Sequence, residues 1–258
     1  MTASETQAGT GRELALGDYV TRLGDDSLVL GQRLSEWCGH APSLELDLSL
    51  ANLALDLIGQ AQYFLGYAAE LTGHADADAL AYHRDAIDFR NCLLVEQPNG
   101  DFGRTIARQF LYSTYQALHF ADLAGCADPR LAAIAAKSAK EVAYHATFAR
   151  EWMVRLGDGT DESRGRIVQG LDWCWRFVDE MFEGEIDPRL QDLDLPGPAR
   201  CRAAWEKTVD AALAEAGLTR PAPRRAITGG RSGRHSEHLG LILAEMQFLQ
   251  RAYPGATW

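Results

Sequence analysis

The sequence predicts an all-α protein built around an antiparallel bundle of four long helices. Strand signals are nearly absent, because no Val-, Ile- or Thr-rich run alternates with polar residues between turn residues. The 9 prolines stand at the boundaries of long proline-free stretches. Four successive stretches could each form a helix of about 22–30 residues, and the links between them are short or moderate, which favours an antiparallel bundle.

Each long helix has a sequence signal near its start or its end, and the first is expected to stop before Gly39 and Pro42. Ser43, Asp101 and Asp128 can each accept a hydrogen bond from the first turn of a following helix. Pro129 suits the first helical position, and Gly73 suits the position just after a helix. The predicted long helices are therefore residues 17–38, 43–72, 101–125 and 129–156.

Shorter helices account for most of the remaining chain. They are expected at residues 77–87, 161–182, 198–216 and 236–251, and residues 217–234 are expected to form a loop. The sequence shows no internal repeat and no low-complexity block. The simplest interpretation is a single helical domain over residues 14–258 that follows a disordered N-terminal tail over residues 1–13.

Charge and cysteine content exclude several classes of function. The net charge of −11 would repel nucleic-acid phosphates and anionic lipid on average, so neither is an expected partner. No apolar run reaches the roughly 18 residues that a membrane span needs. The 5 cysteines are scattered and never spaced C-x-x-C, which argues against a disulfide framework or a zinc ribbon and favours the cytoplasm.

Polar residues of three long helices are candidates for a buried centre. The second helix is apolar on nearly every side, so it is predicted to be buried all round. It also carries a stripe of polar residues on one face, which includes Asp56. The first helix offers Glu36, and the fourth offers Lys137, Glu141 and His145 at steps of four residues.

This arrangement is similar to a carboxylate-bridged di-iron bundle but lacks part of the ligand set. Such a site needs Glu-x-x-His on each of two helices, and no histidine here has a carboxylate three residues earlier. Lys137 could supply the counter-charge in place of metal, and its removal would then leave Glu141 as an unpaired buried charge. The predicted metal-free polar centre consists of Glu36, Asp56, Lys137, Glu141 and His145. Two alternatives stay open, a di-iron site with irregular ligands and two solvated helix faces.

Three stretches of the chain resemble the C-subunit family of bacterial multicomponent phenylacetyl-CoA epoxidases. The first runs from Leu30 to Pro42 and continues in the Leu-Ala-Asn-Leu-Ala-Leu-Asp-Leu-Ile-Gly-Gln-Ala segment around Asp56. The second is the Val-Glu-Gln-Pro-Asn-Gly-Asp-Phe segment that starts at Val95. The third is His-Ser-Glu-His-Leu-Gly from His235, with the Gln-Arg-Ala-Tyr-Pro-Gly-Ala-Thr-Trp ending. The similarity runs from about residue 14 to the C-terminus.

The resemblance implies a ferritin-like fold with additional C-terminal helices and a structural, non-catalytic role. In that family a related A subunit holds the di-iron centre and converts the aromatic CoA thioester to its 1,2-epoxide with O2. A reductase subunit delivers the electrons, and an A2C2 core is the common assembly. The resemblance therefore implies no cofactor in this chain and names the A subunit as its partner.

The surface that would contact the partner is predicted from apolar and aromatic residues. The second helix and the tail after residue 251 are candidates, and the residues singled out are Trp37, Arg251, Tyr253 and Trp258. Two other functions remain to be separated from the structural one. The chain could be an independent di-iron oxidase with irregular ligands, or a helical binding module without any link to oxygen chemistry.

Overall fold

A computed structural model describes residues 10–256, and over these residues it is helical without strands, which confirms the predicted fold class. Short 3-10 helices occupy several of the links. The α-helices are α1 (Gly11–Ser35), α2 (Leu44–Thr72), α3 (Ala77–Tyr82), α4 (Leu93–Glu96), α5 (Phe102–Leu123), α6 (Pro129–Gly157), α7 (Asp161–Trp175), α8 (Arg202–Glu215), α9 (Glu237–Met246) and α10 (Phe248–Ala252).

The predicted caps start three of the four long helices. Ser43 Oγ accepts from the backbone N–H of the α2 first turn at 3.4 Å. Asp101 Oδ1 and Asp128 Oδ1 do the same for α5 and α6, at 2.9 and 2.8 Å. Gly73 follows α2 with a φ of 76°, a left-handed conformation that glycine adopts without a steric penalty. Local side-chain chemistry therefore fixes these boundaries.

The first helix begins earlier and ends earlier than the sequence predicts. It starts at Gly11, where Thr10 and Glu13 form a reciprocal capping box, so residues 11–13 of the predicted tail belong to the helix. Residues 1–9 of the predicted tail lie outside the described part of the chain. The helix ends at Ser35 rather than Cys38, and this places Glu36 in the turn that follows.

The four long helices form two closely packed antiparallel pairs, α1 with α2 and α5 with α6, and α6 also approaches α2. Small residues allow the close approach within the first pair. A Cβ added at Gly24 would lie 2.6 Å from Leu65 Cδ2, and one at Gly31 would lie 3.3 Å from the Ala54 carbonyl oxygen. The two pairs enclose the space in which a four-helix bundle places its functional groups.

The helices that are buried on nearly all sides are α1 and α5, and the prediction that α2 occupies such a position is wrong. Nearly every residue of α1 from Val20 to Leu34 is buried, including Asp25 and Asp26. In contrast, α2 exposes a row of leucines to solvent. The two aspartates made α1 look amphipathic in sequence, but both are neutralised inside the protein by arginines from distant segments.

The remaining helices cover the bundle from outside. The α7 helix packs on α5, where a Cβ at Gly170 would lie 2.7 Å from Arg104 Cα. The α8 helix packs on α5 and α6, and α9 packs on α1. None of the helices between residues 10 and 256 is long and apolar enough to cross a membrane.

Candidate functional site

Three of the five residues predicted for the polar centre lie between α2 and α6. His145 Nε2 is 3.0 Å from Asp56 Oδ2, and Glu141 Oε2 accepts a hydrogen bond from Gln60 Nε2 at 2.9 Å. The His145 side chain is fully buried, whereas 38% of the Asp56 side chain is exposed. Helical spacing produces this arrangement, because residues four apart on each helix face the same neighbour.

A hydrogen-bonded row of polar side chains crosses the bundle at this level. Gln116 of α5 lies between the Ser27 hydroxyl of α1 and the Gln60 amide oxygen of α2, at 3.4 and 3.3 Å from its Nε2. Gln60 in turn donates to Glu141 of α6. We call Ser27, Gln60, Gln116 and Glu141 the central polar row. Each of the four long helices contributes one member, and three of the four are uncharged.

Lys137 does not belong to the buried centre, so the predicted counter-charge role is wrong. It is exposed on α6, and its ammonium nitrogen donates to the Tyr63 hydroxyl at 2.6 Å. The same nitrogen lies 4.1 Å from the centre of the Tyr63 ring. Each step of four residues rotates the side-chain direction by about 40°, so the side chains turn gradually from buried His145 through half-buried Glu141 to exposed Lys137, whose charge is solvated by water.

Replacing Lys137 by alanine is therefore expected to change stability little. Exposed polar contacts contribute weakly, so we expect the melting temperature to stay within about 2 °C of wild type. Thermal unfolding followed by circular dichroism measures the change, and Lys140→Ala on the same exposed face is the control. A decrease of 8 °C or more would indicate a buried charge pair, because at about 2–4 °C per kcal/mol it corresponds to a loss of at least about 2 kcal/mol.

Glu36 also lies away from the centre, which corrects its predicted position. Because α1 ends at Ser35, the Glu36 side chain is turned towards the surface. Its carboxylate accepts from Arg33 Nη1 at 2.6 Å and from Asn99 Nδ2 at 2.9 Å. The guanidinium and the amide hold this carboxylate near the start of α5, apart from the central polar row.

The residues present do not fit a di-iron site. Such a site needs carboxylates from all four helices together with two histidines. At the level of the central polar row, α1 and α5 offer a hydroxyl and an amide, and only α2 and α6 offer Asp56, Glu141 and His145. Across residues 10–256, no three His, Cys, Asp or Glu side chains are grouped so that they could hold a metal ion. The irregular ligand set is not assembled, because Glu36 is elsewhere.

A second group of buried charges, which the sequence reasoning missed, lies around Asp25 and Asp26 of α1. Arg84 contacts both carboxylate oxygens of Asp25, with Nη1 at 3.0 Å from Oδ2. Arg231 Nη2 donates to Asp26 Oδ2 at 2.7 Å. The only sequence signal was the pair of adjacent aspartates within an otherwise apolar helix. Their partners are 59 and 205 residues away, so no local pattern could identify them.

The glycine-rich segment around Gly229, which lies in the loop predicted over residues 217–234, binds a carboxylate of the protein itself. Glu180 Oε1 accepts from the backbone N–H of Gly229 at 2.8 Å and from that of Arg231 at 3.3 Å. Its other oxygen accepts from the Leu93 N–H at 2.6 Å. The loop therefore does bind a carboxylate, but this carboxylate belongs to the same chain and fixes the loop in place.

Glu96 and His235 join two of the stretches that carry the family resemblance. Glu96 accepts from His235 Nδ1 at 2.7 Å and from both the backbone and the hydroxyl of Ser236 at 2.7 Å. Burial alone would lower the pKa of His235, but the bonds to Glu96 and to the Phe89 carbonyl raise it above 6.5. Both ring nitrogens face acceptors, which requires the charged imidazolium. These motif residues therefore join the segment around Glu96 to the start of α9.

The residues predicted to contact a partner occupy different environments. Trp37 is half-buried, and its indole N–H donates to Thr105 Oγ1 at 3.1 Å. Arg251 is exposed and bonds to the carbonyls of residues 82 and 84 and to Asp85. Tyr253 is 59% exposed, and Trp258 lies outside the described residues. Of the two aromatic residues that are described, Tyr253 is the more exposed.

Comparison with known proteins places these features in a family context. A family model described as "Phenylacetic acid catabolic protein" matches residues 1–258. The chain is 52% identical over 242 residues to the C subunit of 1,2-phenylacetyl-CoA epoxidase from Escherichia coli (strain K12). That alignment covers 93% of this chain and 98% of the relative. The similarity therefore extends over the whole bundle and over the C-terminal helices.

Proposed function

Because the chain belongs to the phenylacetic acid catabolic protein family, we propose that it is the non-catalytic C subunit of a phenylacetyl-CoA epoxidase. Family membership confirms the resemblance found in the sequence. On this proposal, catalysis takes place in a separate di-iron A subunit, and a reductase subunit supplies electrons. The assembly epoxidises the aromatic ring of phenylacetyl-CoA in the cytoplasm during aerobic phenylacetate degradation.

The central polar row is the observation that supports the non-catalytic role. An oxygen-activating di-iron centre needs four carboxylates to balance two metal ions, and this level of the bundle offers only Asp56 and Glu141 beside two glutamines and a serine. Glu141 is hydrogen-bonded to Gln60, and Asp56 is hydrogen-bonded to His145. These side chains bond to one another in pairs and form no converging set of metal donors among the described residues.

The physical contribution of such a subunit is mechanical support. A catalytic metal site keeps its ligands within about 0.5 Å of their working positions only when the surrounding helices are rigid. Here, hydrogen bonds across the bundle and buried ion pairs around α1 fix the helices relative to one another. A rigid bundle packed against the A subunit would limit the motion of the helices that carry the iron ligands.

The proposal is tested by reconstituting the enzyme from separate subunits. We expect this chain alone to bind well under one iron per protomer and to show no turnover with phenylacetyl-CoA, O2 and the reductase. The A subunit should become active when this chain is added. The double variant Asp56→Asn/Glu141→Gln should support the same turnover within about twofold, since a rate change of that size corresponds to only about 0.4 kcal/mol.

The same experiment separates the alternative function. About two irons per isolated chain, the content of a di-iron bundle, together with turnover in the absence of the A subunit, would establish an independent oxidase. Loss of turnover in the double variant, with the complex still assembled, would also contradict the structural role. Failure of the chain to associate with any other component of the epoxidase would favour a binding module unrelated to oxygen chemistry.

A further inference from the structure

The outer face of α2 carries an apolar stripe that no residue between 10 and 256 covers. Leu44, Leu48 and Leu55 are 72%, 58% and 65% exposed. Their spacing of four and seven residues places them on one side of the helix. A Cβ at Gly59 or Gly66, further along the same side, would meet no atom within 4 Å. The stripe therefore presents leucine side chains at the start of α2 and glycines, which have no side chain, towards its end.

The exposed face of α6 continues this surface. Tyr63 on α2 and Lys137 on α6 are hydrogen-bonded to each other, so the two helices meet at the surface at this point. The exposed residues of α6 in this region are Ala133, Ala136, Lys137, Lys140, Ala143, Tyr144 and Thr147. Small side chains permit a partner helix to approach closely, because the distance between helix axes depends on the residues at the contact.

The charge on the α6 part of the surface is opposite to that of the protein. The chain has a net charge of −11 and contains 3 lysines, of which Lys137 and Lys140 both lie on this face. Between residues 133 and 147, all of which the structure describes, the exposed side chains include no acid. A complementary surface would therefore carry carboxylates opposite the two lysines.

A second copy of this chain is a poor match for the surface. A two-fold dimer would place the same patch of each copy against the other. The acids on this patch are poorly placed for the two lysines of a second copy. Glu45 and Glu70 stand at the two ends of α2, Glu70 is already paired with Arg130, and Asp56 is bonded to His145. Like charges opposite each other oppose association. The charge pattern instead favours a different protein with an acidic and apolar helical face.

We propose that the joint outer face of α2 and α6 is the surface on which the catalytic A subunit docks. This inference rests on the proposed function, because it takes the A subunit as the partner. Leu44, Leu48 and Leu55 would be buried against apolar residues of a partner helix, and Lys137 and Lys140 would pair with its carboxylates. Gln60 and Glu141 of the central polar row join α2 to α6 by a hydrogen bond, so the partner would pack on two helices that are already held together.

The experiment measures the affinity between the purified A subunit and variants of this full-length chain. Leu48→Glu/Leu55→Glu should weaken binding at least about 100-fold, as expected when central apolar contacts are lost. Leu241→Glu is the matched control, because Leu241 is also 65% exposed but lies on α9. This substitution should change the dissociation constant by less than about threefold, because residues outside the few that dominate an interface contribute little binding energy. Circular dichroism melts confirm that all variants are folded.

A charge-reversal variant tests the electrostatic half of the inference. Lys137→Glu/Lys140→Glu should slow association about tenfold, and the difference from wild type should shrink in about 0.5 M salt, where charges are screened within about 4 Å.

Equal binding by wild type and both double variants would overturn the assignment of the surface while leaving the structural role intact. Failure of wild type to bind the A subunit would instead overturn the proposed function. If the wild-type chain forms a homodimer and Leu55→Glu dissociates it, the surface binds a second copy of the chain and not the A subunit.

Discussion

Replacing Arg231 by methionine is expected to lower the free energy of unfolding by about 3–5 kcal/mol, because it leaves Asp26 as an unpaired charge in the interior. Only 1% of the Asp26 side chain and 14% of the Arg231 side chain are exposed. Arg231 Nη1 also donates to the Arg90 carbonyl at 2.9 Å, so the substitution removes a second bond. Chemical denaturation at neutral pH measures the loss.

Two further variants establish that burial of the charge causes the effect. Arg224 forms a 2.7 Å ion pair with Asp172 in which both side chains are 38% or more exposed. Arg224→Met should therefore cost less than about 1 kcal/mol. Adding Asp26→Asn to Arg231→Met should restore part of the lost stability, because the stranded charge is gone while the amide oxygen still accepts from the Cys92 N–H, which Asp26 Oδ1 binds at 2.7 Å. If the double variant is less stable than Arg231→Met alone, the unpaired charge is not the main cause.

A second large effect is expected on acidification, and His119 is its source. His119 is buried, its Nε2 lies 3.2 Å from the Tyr19 hydroxyl, and its ring stacks on Tyr115 at 5.4 Å. Burial, with a smaller contribution from the nearby Arg231 charge, lowers the pKa of His119 from 6.5 to about 4. Protonation is thus far less favourable in the folded state than in the unfolded chain.

The sign of the pH effect follows from this difference. As the pH falls below 6.5, the unfolded chain binds a proton at His119 that the folded protein does not bind, so stability decreases until the pH reaches about 4. One pKa unit corresponds to about 1.4 kcal/mol, and the total loss from this group is about 3 kcal/mol. Denaturation curves between pH 7 and pH 4 measure it as the difference between wild type and His119→Gln.

The comparison with a variant is necessary because carboxylates titrate over part of the same range. His119→Gln should lose less stability than wild type between pH 7 and pH 4, whatever its stability at pH 7. His83→Gln, which removes an exposed histidine, is the control for the loss of one ring. Parallel pH profiles for wild type and His119→Gln would show that His119 is readily protonated in the folded protein.

Local chemistry made the helix boundaries predictable. Ser43, Asp101 and Asp128 each accept the hydrogen bond that the sequence suggested, because a cap depends on residues within one turn of each other. The meeting of Asp56, Glu141 and His145 was also predictable, since helical spacing fixes which residues share a face. Both features depend on short separations along the chain.

The incorrect predictions concerned the orientation of polar residues whose environment is set by distant parts of the chain. Asp25 and Asp26 make α1 look partly solvated, but Arg84 and Arg231 neutralise them in the interior. The leucines of α2 suggest complete burial, yet Leu44 and Leu55 are exposed. Glu36 and Lys137 have the spacing expected of the centre but face solvent. Glu36 lies just after the end of α1, and Lys137 lies on the exposed side of α6.

The long separation between Asp26 and Arg231 bears on how the protein is made. These residues are 205 positions apart, so on the ribosome the aspartate emerges long before the arginine exists. Glu96 likewise precedes His235 by 139 positions. A nascent chain that ended before residue 229 would hold carboxylates in its interior without their counter-charges. The final fold therefore forms only after nearly the whole polypeptide has been synthesised, and truncated translation products would be substrates for proteolysis.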